Sequence, residues 1–141
     1  MTELRFFDTN ILLYMYDRRD AAKRMRAVET FRQCLHAETL IISTQVIQEF
    51  YAAATRKLNL ELSKARNLVA DLCGLRVISV QCSYIVRATE LQSRFGISFW
   101  DALILATAEA AGAHVLYTED LQDGQNYDGV EVRNPFRDAH S

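Results

Sequence analysis

Leu4-Arg5-Phe6-Phe7-Asp8-Thr9-Asn10-Ile11-Leu12 is the stretch from which the fold is read. Leu4–Asp8 is a short apolar run with two adjacent phenylalanines, the pattern of a buried strand. It ends on a carboxylate, and Ile11–Asp17 then takes up helical spacing. The same succession recurs along the chain. Ala21–His36 places Ala21, Met25, Val28, Phe31 and Leu35 near a 3.6-residue period, which predicts an amphipathic helix. Leu40–Ser43 is short and β-branched, a second strand, and Gln45–Leu58 is a helix with Val46, Phe50, Ala53 and Ala54 on one face. Glu61–Cys73 is another helix, closed by Gly74. Arg76–Val80 alternates as a third strand. Tyr84–Phe95 is a helix stopped at Gly96, and Phe99–Ala111 a strongly apolar one stopped at Gly112. His114–Thr118 is a fourth strand, and Val130–Val132 a short fifth before Pro135.

Strands separated by helices imply right-handed crossovers and a mostly parallel sheet covered on both faces. The expectation is an α/β fold of three layers, α/β/α, with four to five strands and one domain over residues 1–141. Half the residues are hydrophobic and 24% are charged, an ordinary globular composition. The first strand starts at Leu4, which leaves no room for a signal peptide, and no apolar run approaches the roughly 18 residues of a membrane helix. Cys34, Cys73 and Cys82 show no CxxC spacing and read as core thiols of a reducing compartment. A cytoplasmic location without membrane partners is therefore expected. His36, His114 and His140 form no zinc pattern and read as structural or exposed.

In open parallel sheets ligands bind beyond the carboxyl ends of the strands. Four acids map to that rim. Asp8 ends the first strand, Asp120 lies just past the fourth, Glu49 is in the second turn of the helix after strand two, and Asp101 is in the first turn of the apolar helix. Each has an ordinary structural role open to it: Asp8 with Thr9 or Asn10 as a helix cap, Ser98 with Asp101 as a capping box, Glu49 on a solvated face, Asp120 in a turn with Asp123 and Gly124. Those roles explain the residue types but not their shared location. Like charges about 4 Å apart cost about 4 kcal/mol at an effective dielectric of about 20, so such a cluster stays ionised only around a cation. Oxygen ligands without His or Cys call for a hard ion, Mg²⁺ or Mn²⁺, able to bind phosphate oxygens and activate a water.

At these residues the sequence resembles the PIN-domain family, and within it the toxin ribonucleases of the VapC group. The resemblance runs over nearly the whole chain and is carried by Phe7-Asp8-Thr9-Asn10-Ile11-Leu12, Gln48-Glu49-Phe50-Tyr51, Ser98-Phe99-Trp100-Asp101-Ala102-Leu103-Ile104 and Leu116-Tyr117-Thr118-Glu119-Asp120-Leu121. It implies a PIN-like fold and a catalytic set of Asp8, Glu49, Asp101 and Asp120, with Asp8, Asp101 and Asp120 on the metal and Thr9, Asn10 and Thr118 in support. It also implies endonucleolytic, metal-dependent hydrolysis of RNA, an antitoxin protein as partner, and a homodimer. At the fourth acidic position Glu119 and Asp123 compete with Asp120.

Net charge is −2, but residues 1–70 carry 11 Lys/Arg against 8 Asp/Glu, while residues 71–141 carry 5 against 10. Arg18, Arg19, Lys23, Arg24 and Arg26 fall within nine positions. A solvated helix face accounts for such a run, and a phosphate-contacting patch is the sharper reading. Arg18, Arg19 and Lys23, with Arg56 and Lys57 beyond Glu49, are the candidate RNA contacts. Receiver domains and haloacid-dehalogenase-type phosphatases also place acids beside a parallel sheet, but both need a late lysine, and this sequence has none after Lys64. The rival that stands is a PIN-like module that binds RNA or protein without cutting it.

Overall fold

A computed structural model of the chain describes residues 3–137, so the expectation for His140 lies outside the described residues. Its elements, in order, are β1 (Leu4–Phe7), α1 (Thr9–Tyr14), α2 (Ala21–His36), β2 (Leu40–Ser43), α3 (Thr44–Arg56), α4 (Leu62–Cys73), β3 (Val77–Ile78), α5 (Cys82–Phe95), α6 (Phe99–Ala110), β4 (Ala113–Tyr117), β5 (Asn126–Tyr127) and β6 (Val130–Arg133). The sheet runs β3-β2-β1-β4-β6-β5. Every pairing is parallel except β5 with β6.

The sheet has six strands among the described residues, one more than the upper expectation. The addition is β5, two residues long and paired with β6 through Asn126↔Glu131 and Tyr127↔Val130. Asp128 and Gly129 between them have φ of 53° and 109°, so a two-residue loop with both centres left-handed closes a hairpin. Arg76–Val80 shrinks to Val77–Ile78, which touches only β2 at the sheet's edge.

From β1 the chain steps outward to β2 and β3, then returns past β1 to form β4. Right-handed crossovers in opposite directions send the α1–α4 connections to one face and α5–α6 to the other. The junction of β1 with β4 is therefore the topological switch point, where a crevice opens beyond the strand ends. These two strands are also the innermost. Phe6, Phe7, Val115 and Leu116 are all within 1% of complete burial, and β2 is buried along its whole length. Phe50, Leu103 and Leu105 fill the core between sheet and helices, as the spacing predicts. On α2 the buried line is Ala27, Thr30 and Cys34, whereas Met25 is 69% and Leu35 46% exposed, so the apolar period read there is rotated from the true packing face. Of the three cysteines only Cys34 is in the core; Cys73 and Cys82 are exposed, against the expectation. Gly74 ends α4 with φ −81°, an ordinary helical value, while Gly96 ends α5 at φ 65°, where glycine is the residue that fits. Among the described residues no helix is long and apolar enough to cross a membrane.

Candidate active site

The crevice at the switch point collects the four acids from four elements. Asp8 follows β1 directly and is also the N-cap of α1: its Oδ1 accepts from the Thr9 amide at 2.7 Å. Its other oxygen accepts from the Thr118 hydroxyl at 2.8 Å. The capping role and the place at the rim are the same fact, because a helix that starts at a strand's end aims its first free amides into the crevice. Asp101 sits in the first turn of α6, its amide donating to the Ser98 hydroxyl at 3.1 Å, and it lines the crevice. Glu49 is half-buried on α3, where it accepts from Thr9 Oγ1 at 2.8 Å and from Gln45 Nε2 at 3.1 Å. Asp120 is exposed at the rim and accepts from Asn10 Nδ2 at 2.9 Å.

Ligand oxygens of Asp8, Asp101 and Asp120 lie within 4.8 Å of one another. Asp120 takes the fourth acidic position ahead of its neighbours. Glu119 turns away to accept from Tyr14 Oη at 2.8 Å and Lys23 Nζ at 3.0 Å. Asp123 accepts from the Asn134 amide at 2.8 Å and pins the loop before β6.

The Thr118 hydroxyl ties the site together. It donates to Asp8 and accepts from Asn10 Nδ2 at 3.2 Å and the Asp120 amide at 3.1 Å, so its one donor and two acceptor positions are all used. Gln45 has a parallel task, since its Nε2 reaches both Glu49 and the Trp100 carbonyl. The sequence reading assigns no role to Gln45, although its i, i+4 spacing to Glu49 on one helix is the signal for it.

The electrostatics are those of crowded, partly dehydrated carboxylates. Burial pushes Asp8 up to about 7; Asp120 and Asp101 add repulsion, and the bonds from Thr118 and Thr9 only partly offset this. Burial also raises Asp101 and Asp120, with Glu49 adding repulsion to both. Burial, with mutual repulsion added, thus drives three acids in one crevice toward the neutral form, an effect that a bound cation would oppose. The donor set fits a divalent cation: carboxylate oxygens, and the buried Asn10 Oδ1, which has no hydrogen-bond partner among the described residues. The trio could therefore hold a metal ion.

The crevice, of about 520 Å³, continues into a second cleft of about 830 Å³ through Asp17, Arg19, Lys57 and Leu58, which line both. That second cleft is lined by Arg18, Arg19, Arg24, Lys57 and Lys64 against the single carboxylate of Asp17. Arg19 is committed to Asp17 through two bonds of 2.9 Å, which hold that carboxyl well below the usual range. Lys23 is committed as well, to Glu119 and Tyr14. Arg18, Arg24, Arg56, Lys57 and Lys64 form no ion pair among the described residues. Of the cations singled out in the sequence, Arg18, Arg56 and Lys57 are thus open to an incoming anion, whereas Arg19 and Lys23 brace the site. Lys64 was not singled out; it comes from α4, which the sequence alone does not place beside α1.

A family model for the PIN domain matches residues 5–123. A search of curated proteins finds no match to the sequence. Among solved structures, a toxin–antitoxin complex from Klebsiella pneumoniae superposes with a TM-score of 0.68 at 24% identity, covering 94% of this chain and 98% of that one. VapC20 of Mycobacterium tuberculosis, described as a sarcin-ricin loop cleaving toxin, gives 0.64 at 20% identity, covering 82% and 89%. FitAcB from Neisseria gonorrhoeae gives 0.65 at 18%, covering 95% and 99%.

Proposed function

Because this chain belongs to the PIN-domain family, we propose that it is a metal-dependent endoribonuclease, the toxin of a toxin–antitoxin pair, acting in the cytoplasm. The observation that carries the reading is the juxtaposition of three carboxylates whose ligand atoms lie within 4.8 Å with a cleft lined by five cations. In this reading residues 1–141 make one PIN domain. Asp8, Asp101 and Asp120 would hold Mg²⁺ or Mn²⁺, which would supply a Lewis acid for the phosphate and a lowered pKa for a water. Glu49, held by Thr9 and Gln45, would orient an attacking water and take up its proton. Thr118 and Asn10 keep Asp8 and Asp120 in place. Arg18, Arg56 and Lys57, joined by Arg24 and Lys64, hold the RNA backbone that the acids alone would repel. Arg19 and Lys23 act at one remove, by neutralising Asp17 and Glu119.

The neighbouring structures include a toxin–antitoxin complex, which supports an antitoxin protein as partner; a homodimer is proposed on the family resemblance alone. The test is cleavage of total RNA by the purified chain. Cutting that needs Mg²⁺ or Mn²⁺, stops in EDTA and is absent from Asp101→Asn supports the proposal. Metal-independent cutting would overturn the role given to the three aspartates, and no cutting at all would leave a module that binds without catalysis.

A further inference from the structure

Trp100 is 61% exposed at the mouth of the acid crevice, and it is the chain's only tryptophan. Among the described residues six other large apolar side chains are exposed, and none of them lines this crevice. The ring does not lie loosely on the surface. Phe99 meets it edge-to-face at 5.1 Å, and the Trp100 carbonyl is tied by Gln45 Nε2 at 3.3 Å, the same nitrogen that holds Glu49. The next residue is Asp101. A rigid aromatic surface is thus fixed one residue from a carboxylate of the site, with much of it open to solvent.

We propose that Trp100 is the stacking platform for an unpaired base next to the scissile phosphate, so that the enzyme selects single-stranded or looped RNA over duplex. This rests on the ribonuclease reading above. A nucleotide whose phosphate reaches Asp101 carries its base only one sugar away, within range of the adjoining ring. The cations of the neighbouring cleft contact phosphates and carry no information about pairing. An aromatic face does carry it, because a base can stack on a side chain only when it is out of its own helix. Any base has such a face, so the selection concerns pairing more than sequence.

The single tryptophan makes the test direct. The probe is a short oligoribonucleotide, its binding followed independently by anisotropy of a terminal label, in a Glu49→Gln chain with Mg²⁺ present. The single strand is expected to quench the protein's emission with the same midpoint as the anisotropy. The same strand with abasic sites should bind without quenching, and its duplex should quench little. Trp100→Ala should weaken single-strand binding roughly five- to hundred-fold, and Trp100→Phe should restore most of it. In the otherwise unaltered chain, Trp100→Ala should narrow the ratio of unpaired to paired cleavage. Anisotropy binding that leaves the tryptophan emission unchanged, with Trp100→Ala as tight as the parent, overturns the stacking proposal and leaves the ribonuclease reading standing. Failure of any RNA to bind overturns both.

Discussion

Asp8→Asn tests the electrostatic account of the site through stability, without any appeal to catalysis. In the metal-free fold the Asp8 carboxyl titrates near 7, raised from 3.8 mainly by its burial. Between those two values the folded chain holds a proton that the unfolded chain has released. The parent therefore loses stability as pH rises from about 4 to about 7, and the loss is complete above that. A displacement of this size corresponds to a ceiling of about 4 kcal/mol. The introduced amide removes that loss, but it adds one of its own. Thr118 Oγ1 already accepts from Asn10 and Asp120, so it has no room for a further N–H. An unsatisfied buried donor costs about 1–3 kcal/mol. The net gain at pH 8 in EDTA is then about 1–3 kcal/mol, or roughly 3–4 °C in Tm for each kcal/mol at this chain length. The gap should close as pH falls toward 4 and reverse below it, where the parent's carboxyl becomes neutral in both states. Adding Mg²⁺ should stabilise the parent and not the variant, by about 2.7 kcal/mol at a hundred times Kd. Thermal melts from below pH 4 to pH 8, with and without Mg²⁺, read all of this. A variant no more stable than the parent at pH 8 in EDTA, or a gap that does not vary with pH, would refute the reasoning.

Glu49→Gln should cut the cleavage rate strongly while leaving Mn²⁺ affinity closer to the parent's than Asp101→Asn does; calorimetry showing equal loss would make Glu49 a direct ligand. Replacing Arg18, Lys57 and Lys64 together by Ala, in an Asp101→Asn chain, should lower the log–log salt slope of RNA binding by about 2, at about 0.7 per lost contact. Lys23→Ala, whose side chain already faces Glu119, should leave that slope nearly intact; the opposite ranking would move the phosphate path to α2. Leu103→Ala, at a site 5% exposed, should cost about 2–5 kcal/mol in denaturant melts, and unchanged stability there would contradict the packing of α6.

The parallel architecture was legible because β1, β2 and β4 are largely buried and are written as short, mainly apolar runs, interrupted only by Arg5 and His114. The acids were legible because the topology of such a sheet says where strand ends meet. What escaped the reading was set by contacts between distant segments. The hairpin of β5 is announced by Asp128-Gly129, but a two-residue strand carries no periodicity of its own. The register of α2 on the core follows from Ala27, Thr30 and Cys34, small side chains that a period drawn through Met25, Phe31 and Leu35 passes over. The division of the basic run into bracing and open cations depends on Asp17 and Glu119, and Glu119 is 96 residues from Lys23. Spacing along the chain cannot express such a pairing.

The seam between β1 and β4 has one further consequence. Asp8, Thr118 and Asp120 follow the ends of the two innermost strands, so this half of the site is tied to the centre of the sheet, while Asp101 and Glu49 reach it from α6 and α3. The amides that clamp this seam, such as that of Asp8 on the Tyr117 carbonyl at 3.0 Å, belong to the part of a fold that exchanges hydrogen only when the entire chain unfolds. The three aspartate positions and the global fold are therefore expected to be lost together. Fraying at the β5 hairpin should leave the acids in place, and opening at the sheet's centre should not.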